Sequence, residues 1–230
     1  DVFSESVGSE ALGTRTRNVG NKIYDELVVA KVDPERADEF AKRIAAVFGK
    51  LEKPKKGDKG DHEKISRRTA QLVHVSRAEW KVIQGLIEQV ISGENPTDDS
   101  LKETVGSGQG TADIALFGRM LAEHTKRNIE AASQVAHAIT CHPVTIEDDY
   151  FTAVDDLNTL DSDEGAGAAH LGTVEFGAGL FYQYVCINRD LLVRNLDGAQ
   201  ELADASVKGL LEACATVAPT GRPATVGRRA

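Results

Sequence analysis

The apolar residues of this chain change their spacing near Met120, and this change limits the folds that are open to it. Before Met120 they recur at helical intervals, which predicts a first helix within residues 21–30 and further helices behind it. After Met120, the segments 134–140 and 175–188 are rich in β-branched and aromatic residues, which favour strands. The sequence therefore predicts an α+β protein whose mostly helical part precedes a strand-rich part.

Two of the predicted helices have clear start signals. Asp33-Pro34-Glu35 places an N-cap residue before a proline at the first helical position and an acid in the first turn, and this helix should end near Gly49. Ser76 and Glu79 form a capping box, in which each side chain accepts a hydrogen bond from the other residue's main chain. A second helix is expected to follow it as far as Gly93.

Shorter segments connect and follow these helices. Asp113–Phe117 is apolar and flanked by glycine, so it predicts a buried strand, which is followed by a surface turn at 118–120. Residues 69–75 predict a short strand or a buried turn. Asp190 is expected to cap a short helix through Leu196, and the helical spacing of 197–217 predicts a final helix.

The charge of the chain is unevenly distributed. The net charge is -9, but residues 129–230 carry 15 of the 36 acidic side chains and only 6 of the 27 basic ones, so the excess negative charge lies in that part. A nucleic-acid partner would therefore need a local groove rather than a field over the whole surface. The lysine-rich segment 52–64 has almost no apolar residue and predicts an exposed, mobile loop.

Several classes of protein are disfavoured by what the sequence lacks. It has no run of 18 apolar residues and no signal peptide, so a cytoplasmic protein without a membrane partner is expected. Its three cysteines have unrelated spacings and predict neither a disulfide framework nor a zinc motif. No nucleotide-binding or hydrolase motif is present. We therefore expect no cofactor, no metal and no enzymatic activity.

Four ordered blocks resemble the CasC family, the backbone subunit of the type I-E Cascade complex of CRISPR interference. They are Asp113–Met120, Ala136–Thr140, Phe151–Leu157 and Ala169–Phe176. The N-terminal part, including Leu12-Gly-Thr-Arg-Thr16, is similar in layout but less distinctive. The resemblance covers nearly the whole chain.

The resemblance implies a hand-shaped fold, with a modified RRM- or ferredoxin-like palm, an inserted helical fingers module and a β-hairpin thumb. The corresponding ranges are 1–17 for a palm edge, 18–110 for the fingers, 111–143 for palm, 144–173 for the thumb, 174–218 for further palm, and 219–230 for a tail. By the same resemblance, the family's first palm strand should precede Asp1, and further palm strands should begin where the tail stands.

The resemblance also implies RNA-contacting residues. Phe151, Thr152, Val154 and Leu171 match thumb residues that insert into the guide RNA and displace one nucleotide at regular intervals; a small hairpin core is the structural alternative. The remaining candidates would contact phosphate, ribose or base, namely Arg119, Met120, His170 and Thr173. For Arg119, a structural salt bridge beside a core methionine is the alternative.

The implied function is that of a crRNA-binding backbone subunit that polymerises head to tail along the guide RNA and presents it for pairing with target DNA in antiviral defence. The implied partners are the guide crRNA, target DNA, copies of itself and the other Cascade subunits. One rival hypothesis is a metal-dependent nuclease that uses an aspartate such as Asp155. The other is a structural protein that binds partners but no RNA.

Overall fold

The computed structural model describes residues 2–54, 62–104, 106, 110–121, 125–154 and 168–217, and for 152–154 and 168–171 it describes the backbone alone. Helices and strands are mixed, which confirms the predicted α+β class. The helices of these residues are α1 (Val2–Val7), α2 (Val19–Val29), α3 (Pro34–Phe48), α4 (His62–Ser66), α5 (Arg77–Ile91), α6 (Asp98–Thr104), α7 (Ala112–Phe117), α8 (Arg189–Asn195) and α9 (Gln200–Thr216). The strands are β1 (Thr14–Thr16), β2 (Val73–Val75), β3 (Ser133–Val135), β4 (Ile139–Thr140), β5 (Ile146–Val154), β6 (Ala168–Gly177), β7 (Phe181–Tyr182) and β8 (Val185–Ile187).

The strands pair two by two. β1 pairs with β2, β3 with β8, β4 with β7, and β5 with β6. Within the described residues no sheet is larger than this, so the RRM-like palm stays a prediction. The longest pairing is the antiparallel hairpin β5–β6, whose register is regular from Ile146↔Gly177 to Ala153↔His170 and shifts before Val154.

The chain forms two compact units. The first contains the described parts of 1–134 and 186–217, and the second contains Val135–Val185. The core of the first unit is built from the apolar faces of α2, α3 and α5, with β2 and α6 adding to it; its fully buried members include Ile23, Leu27, Ile44, Ile83 and Leu101. In the same unit α1 packs on α9.

The starts of α3 and α5, the two helices with clear start signals in the sequence, are predicted correctly. The Asp33 carboxylate accepts hydrogen bonds from the main-chain N–H groups of Glu35 and Arg36, at 3.1 and 3.2 Å, and α3 is followed by Gly49 as predicted. The capping box before α5 is also confirmed, with both reciprocal bonds between Ser76 and Glu79 formed. Each signal acts within one helical turn, so distant contacts do not change its outcome.

The predicted buried strand Asp113–Phe117 is wrong, because this segment lies in helix α7. Ile114, Ala115 and Leu116 are buried as expected, whereas Phe117 is exposed. A short apolar run between glycines does not distinguish a buried strand from a short helix. Ala115 and Leu116 are good helix formers, and Gly118 ends the helix at a φ of 74°.

Other boundaries differ from the predicted ones. The segment 175–188 is divided among β6, β7 and β8 rather than forming one long strand, and 134–140 is divided between β3 and β4. Asn188, not Asp190, caps α8, since its side chain accepts from the N–H of Leu191. α4 occupies the end of the predicted lysine-rich loop, whose residues 55–61 lie outside the described residues, as does the predicted tail 219–230.

Among the described residues, the helices are all too short or too polar to cross a membrane.

Candidate nucleic-acid interface

A cleft of about 630 Å³ lies in the first unit, bordered by the β1–β2 ribbon, the C-terminal end of α3, and the turn that follows α7. Its walls are formed by three short segments that are far apart in the sequence, Phe48–Lys50, Thr69–His74 and Phe117–Leu121, together with Arg15 and Asp113. The cleft is therefore a product of tertiary packing rather than of one motif.

The walls of this cleft combine exposed apolar side chains with cations. Leu72, Phe117 and Met120 expose 61%, 53% and 82% of their surface, which is unusual for three neighbouring apolar residues. Arg15 and Lys50 are exposed on the same walls, and neither forms an ion pair with a carboxylate that the structure describes. Apolar platforms beside unpaired cations are the chemistry that single-stranded nucleic acid requires.

The ribbon on one side of the cleft is joined to the start of α7. Arg15 of β1 lies opposite His74 of β2 in the register, and His74 Nε2 is 2.8 Å from Asp113 Oδ2. Both carboxylate oxygens of Asp113 also accept from the N–H of Gly13, at 3.1 Å. Residues separated by 100 positions in the chain thus meet at this wall of the cleft.

Asp113 remains ionised in this setting. Burial alone would raise its pKa, but the hydrogen bonds from the His74 ring and from the Gly13 N–H act in the opposite direction, and the resulting pKa lies below the usual value of an aspartate. The carboxylate is already occupied by these donors. It therefore links the β1–β2 ribbon to α7. It forms no ion pair with Arg15 or Lys50, the two cations of the cleft walls.

The predicted surface position of the Arg119 guanidinium is wrong. Its side chain is only 3% exposed, and Nη1 donates to Glu79 Oε2 at 2.7 Å and to the main-chain oxygen of His74 at 3.0 Å. The structural salt bridge named as the alternative is what the structure contains. An arginine with a buried acid within reach turns inward, and sequence reasoning had no signal that Glu79, 40 positions away, would be that acid.

Met120 does lie at an exposed turn, as predicted. Residues 117–120 also line a second hollow of about 470 Å³, together with Asn128–Ala131. Gly118 precedes this turn at a φ of 74°, and an added Cβ there would lie 2.7 Å from the main-chain oxygen of Ile129. The close main-chain approach therefore requires glycine at this position.

The hairpin β5–β6 in the second unit carries the other predicted RNA contacts. Phe151 lies opposite Gly172, and its ring occupies the space that a side chain on Gly172 would fill. This aromatic ring over a cross-strand glycine stabilises the pair and leaves the ring 43% exposed. Thr173 is exposed and lies opposite Tyr150.

For four further candidates, the structure describes the strand position alone. Thr152 pairs with Leu171, Ala153 pairs with His170, and Val154 follows the register shift. The side chains of Thr152, Val154, His170 and Leu171 lie outside the description, so their RNA contacts stay predictions.

Carboxylates gather at the base of the hairpin. Glu147, Asp148 and Asp149 are consecutive, and Glu175 lies directly opposite Asp148. Like charges in this position repel each other and do not attract phosphate, so this end of the hairpin is unsuited to an RNA backbone.

In the part of the chain that the structure describes, no three His, Cys, Asp or Glu side chains are placed so that they could hold one metal ion. His142 Nε2 instead accepts from the N–H of Leu180 at 3.0 Å, while Nδ1 lies 2.8 Å from the main-chain oxygen of Pro143. The aspartate named for a nuclease, Asp155, lies outside the described residues.

The sequence reasoning missed Arg15, Lys50, Leu72 and Phe117 as members of one cleft. A weak signal existed at Leu72, an apolar residue that strand alternation places on the outward face with His74, opposite to the buried Val73 and Val75. For the two cations no local signal distinguishes a cleft position from an ordinary solvated one.

The described residues define an α+β protein whose first unit carries a basic and apolar cleft. The family model of the CT1975-like proteins (Cas_CT1975) matches residues 2–230. The chain therefore belongs to this family of Cas proteins. A search of curated proteins finds no match.

Solved structures agree with the family. A chain from a structure titled "CRISPR RNA-guided surveillance complex, pre-nicking" is 25% identical, with a TM-score of 0.70 over 98% of this chain and 65% of that chain. A chain titled "CRISPR RNA-guided surveillance complex" is 24% identical, with a TM-score of 0.53 over 94% of this chain and 60% of that chain, and it supports the fold alone. The present chain thus spans less than two thirds of the length of either solved chain.

Proposed function

We propose that this chain acts in CRISPR interference as a crRNA-binding backbone subunit of a Cascade-type complex. Membership in the CT1975-like family and the TM-score of 0.70 with a chain of an RNA-guided surveillance complex support the role in interference. The CasC resemblance of the four sequence blocks supports the assignment to the type I-E backbone.

The observation that carries the RNA-binding part is the cleft of the first unit. Lys50 and Arg15 are unpaired among the described residues and can neutralise phosphates, while Phe117 and Met120 offer apolar surfaces on which unstacked bases can lie. The cleft contains this chemistry although the net charge of the chain is -9. Binding would be tolerant of sequence, because cations and apolar faces do not read base edges.

The remaining parts of the proposal come from the resemblance. The protein polymerises head to tail along the guide, contacts the other Cascade subunits in the cytoplasm, and leaves the guide bases free to pair with target DNA. It needs no cofactor and catalyses no reaction, since pairing and assembly are binding events. The hairpin β5–β6 serves as the thumb, with Phe151 as its described wedge.

The cleft is tested by measuring the affinity of the chain for a fluorescent single-stranded RNA of mixed sequence over a series of salt concentrations. Lys50→Ala and Arg15→Ala should each weaken binding and lower the salt dependence, by about 0.7 in the log–log slope for one lost phosphate contact. Lys81→Ala is the matched control, because Lys81 is an exposed cation on α5 outside the cleft. Equal slopes for Lys50→Ala and Lys81→Ala would refute the cleft as the RNA site.

The thumb is tested in the assembled complex. The protein is co-expressed with a CRISPR array and the partner subunits, and guide RNA protected from nuclease is measured for the wild type and for Phe151→Ala combined with Leu171→Ala. Protection in short regular steps that the double change blurs is the expected result. If no RNA co-purifies with the wild type, the RNA-binding proposal is refuted and the structural-protein hypothesis replaces it. If the variant protects RNA in the same regular steps as the wild type, only the assignment of β5–β6 as the thumb is refuted.

A further inference from the structure

The exposed Met120 is held from both sides by bonds that fix its main chain. Arg119 exchanges two main-chain hydrogen bonds with Ile129, each of 2.9 Å, and the N–H of Leu121 donates to Asn128 Oδ1 at 2.7 Å. Leu121 itself is buried. A flexible side chain is thus displayed on a rigid support, which is how binding sites are preorganised.

The Arg119 side chain ties this support to the helical part of the first unit. Its Nη1 donates to Glu79 Oε2 at 2.7 Å, and Glu79 is fully buried at the start of α5. The same carboxylate accepts from the N–H of Ser76 at 2.8 Å and from the N–H of Gly106 at 3.2 Å. One carboxylate therefore joins the α5 N-terminus, Gly106 and the Met120 turn.

A contribution to stability does not by itself explain why this ion pair is present. Burying two charges removes their hydration, and replacing a buried pair by apolar residues of similar size often leaves the stability unchanged. The pair is also incomplete, since Nε and Nη2 of Arg119 are buried without a hydrogen-bond partner among the described residues. A buried group that is left unsatisfied calls for an explanation beyond packing. What the pair does is hold the Arg119 side chain against the N-terminus of α5.

We propose that Glu79 is a positioning residue of the cleft: through Arg119 it fixes the turn that displays Met120, so that RNA affinity depends on a carboxylate that RNA cannot reach. This inference rests on the proposed RNA-binding function. It adds a link between helix α5 and the cleft, for which the sequence blocks carry no sign.

The test separates positioning from stability. Glu79→Gln alone leaves the Arg119 charge buried without its counter-ion, and the variant is expected to be unstable. The double variant Glu79→Gln/Arg119→Leu removes both charges and adds no second methionine, and it should unfold at a urea concentration close to that of the wild type. Its affinity for single-stranded RNA should nevertheless stay about tenfold lower, the size of one lost base contact.

A thermodynamic cycle with Met120→Ala shows through which residue the loss acts. If Glu79 works by positioning Met120, the triple variant should bind RNA no more weakly than Met120→Ala alone. Met120 is the one methionine of the sequence, so a ¹³C-methyl methionine label reports on this turn directly. In the double variant its NMR signal should move toward the position found for unfolded chains.

The control for general destabilisation is Ile44→Val, a core change in α3 outside the cleft, which should lower stability and leave the RNA affinity and the Met120 signal unchanged. Return of full affinity in the double variant would overturn the positioning role and leave the cleft intact. Wild-type affinity in Met120→Ala would overturn both the positioning role and the place of Met120 in the RNA site, so the two failures are distinguishable.

Discussion

Replacing Gly118 by alanine should strongly destabilise the first unit. Gly118 has a φ of 74° and a ψ of 172°, a region that residues with a Cβ enter at a cost of about 1–3 kcal/mol. The added Cβ would also lie 2.7 Å from the oxygen of Ile129 and 2.9 Å from the nitrogen of Ala131. Both are main-chain atoms that cannot rotate away, and such overpacking costs about 1–3 kcal/mol more.

The expected loss in free energy of unfolding is therefore about 2–6 kcal/mol, against a total of about 5–15 kcal/mol for a typical domain. Urea unfolding followed by the fluorescence of Trp80, the one tryptophan of the sequence, measures it. Trp80 packs against the core of the first unit, so its signal reports on the unit in which Gly118 lies.

Gly85→Ala is the matched control. Gly85 lies within α5, and nothing is within 4 Å of an added Cβ. The same chemical change should there raise the free energy of unfolding by about 0.5–1 kcal/mol, because alanine loses less backbone entropy in a helix. A loss below about 1 kcal/mol for Gly118→Ala would refute the argument, since it would mean that the turn relaxes without strain.

Two further predictions concern the α5 cap and the Asp113 carboxylate. Ser76→Ala should lower the free energy of unfolding by about 1 kcal/mol, because the N-cap of α5 is lost. Ser92→Ala, at the other end of α5, should change it by less than about 0.5 kcal/mol, and urea unfolding measures both values. Asp113→Asn should make the unfolding midpoint less sensitive to acid: because the pKa of Asp113 is lowered in the fold, its contribution is present above about pH 4 and is lost as the pH falls further. If the unfolding midpoint of Asp113→Asn depended on pH in the same way as that of the wild type, the stabilising link through this carboxylate would be refuted.

The residues of the cleft show why part of the site could not be predicted. Met120 was placed at an exposed turn because a glycine follows an apolar segment, and the structure agrees. The neighbouring Arg119 has the same local sequence context, yet it turns inward to Glu79. The difference is decided by an acid that is distant in sequence, and a local pattern contains no information about it.

The features that can be predicted from the sequence alone are those that depend on a few neighbouring residues. The starts of α3 and α5 follow from Asp33, Pro34 and the Ser76–Glu79 capping box, whose bonds close within one helical turn. The α+β class follows from the change in apolar spacing near Met120.

The features that join distant segments depend on the tertiary structure. Asp113 meets Gly13 and His74 across long stretches of chain, and the cleft arises between them and the turn at Met120. A helix and a strand would both bury Ile114, Ala115 and Leu116, so the local pattern does not choose between them. The neighbouring elements of the fold select the helix. Local patterns fix main-chain hydrogen bonds within a turn, whereas burial and charge pairing depend on which surfaces the fold brings together.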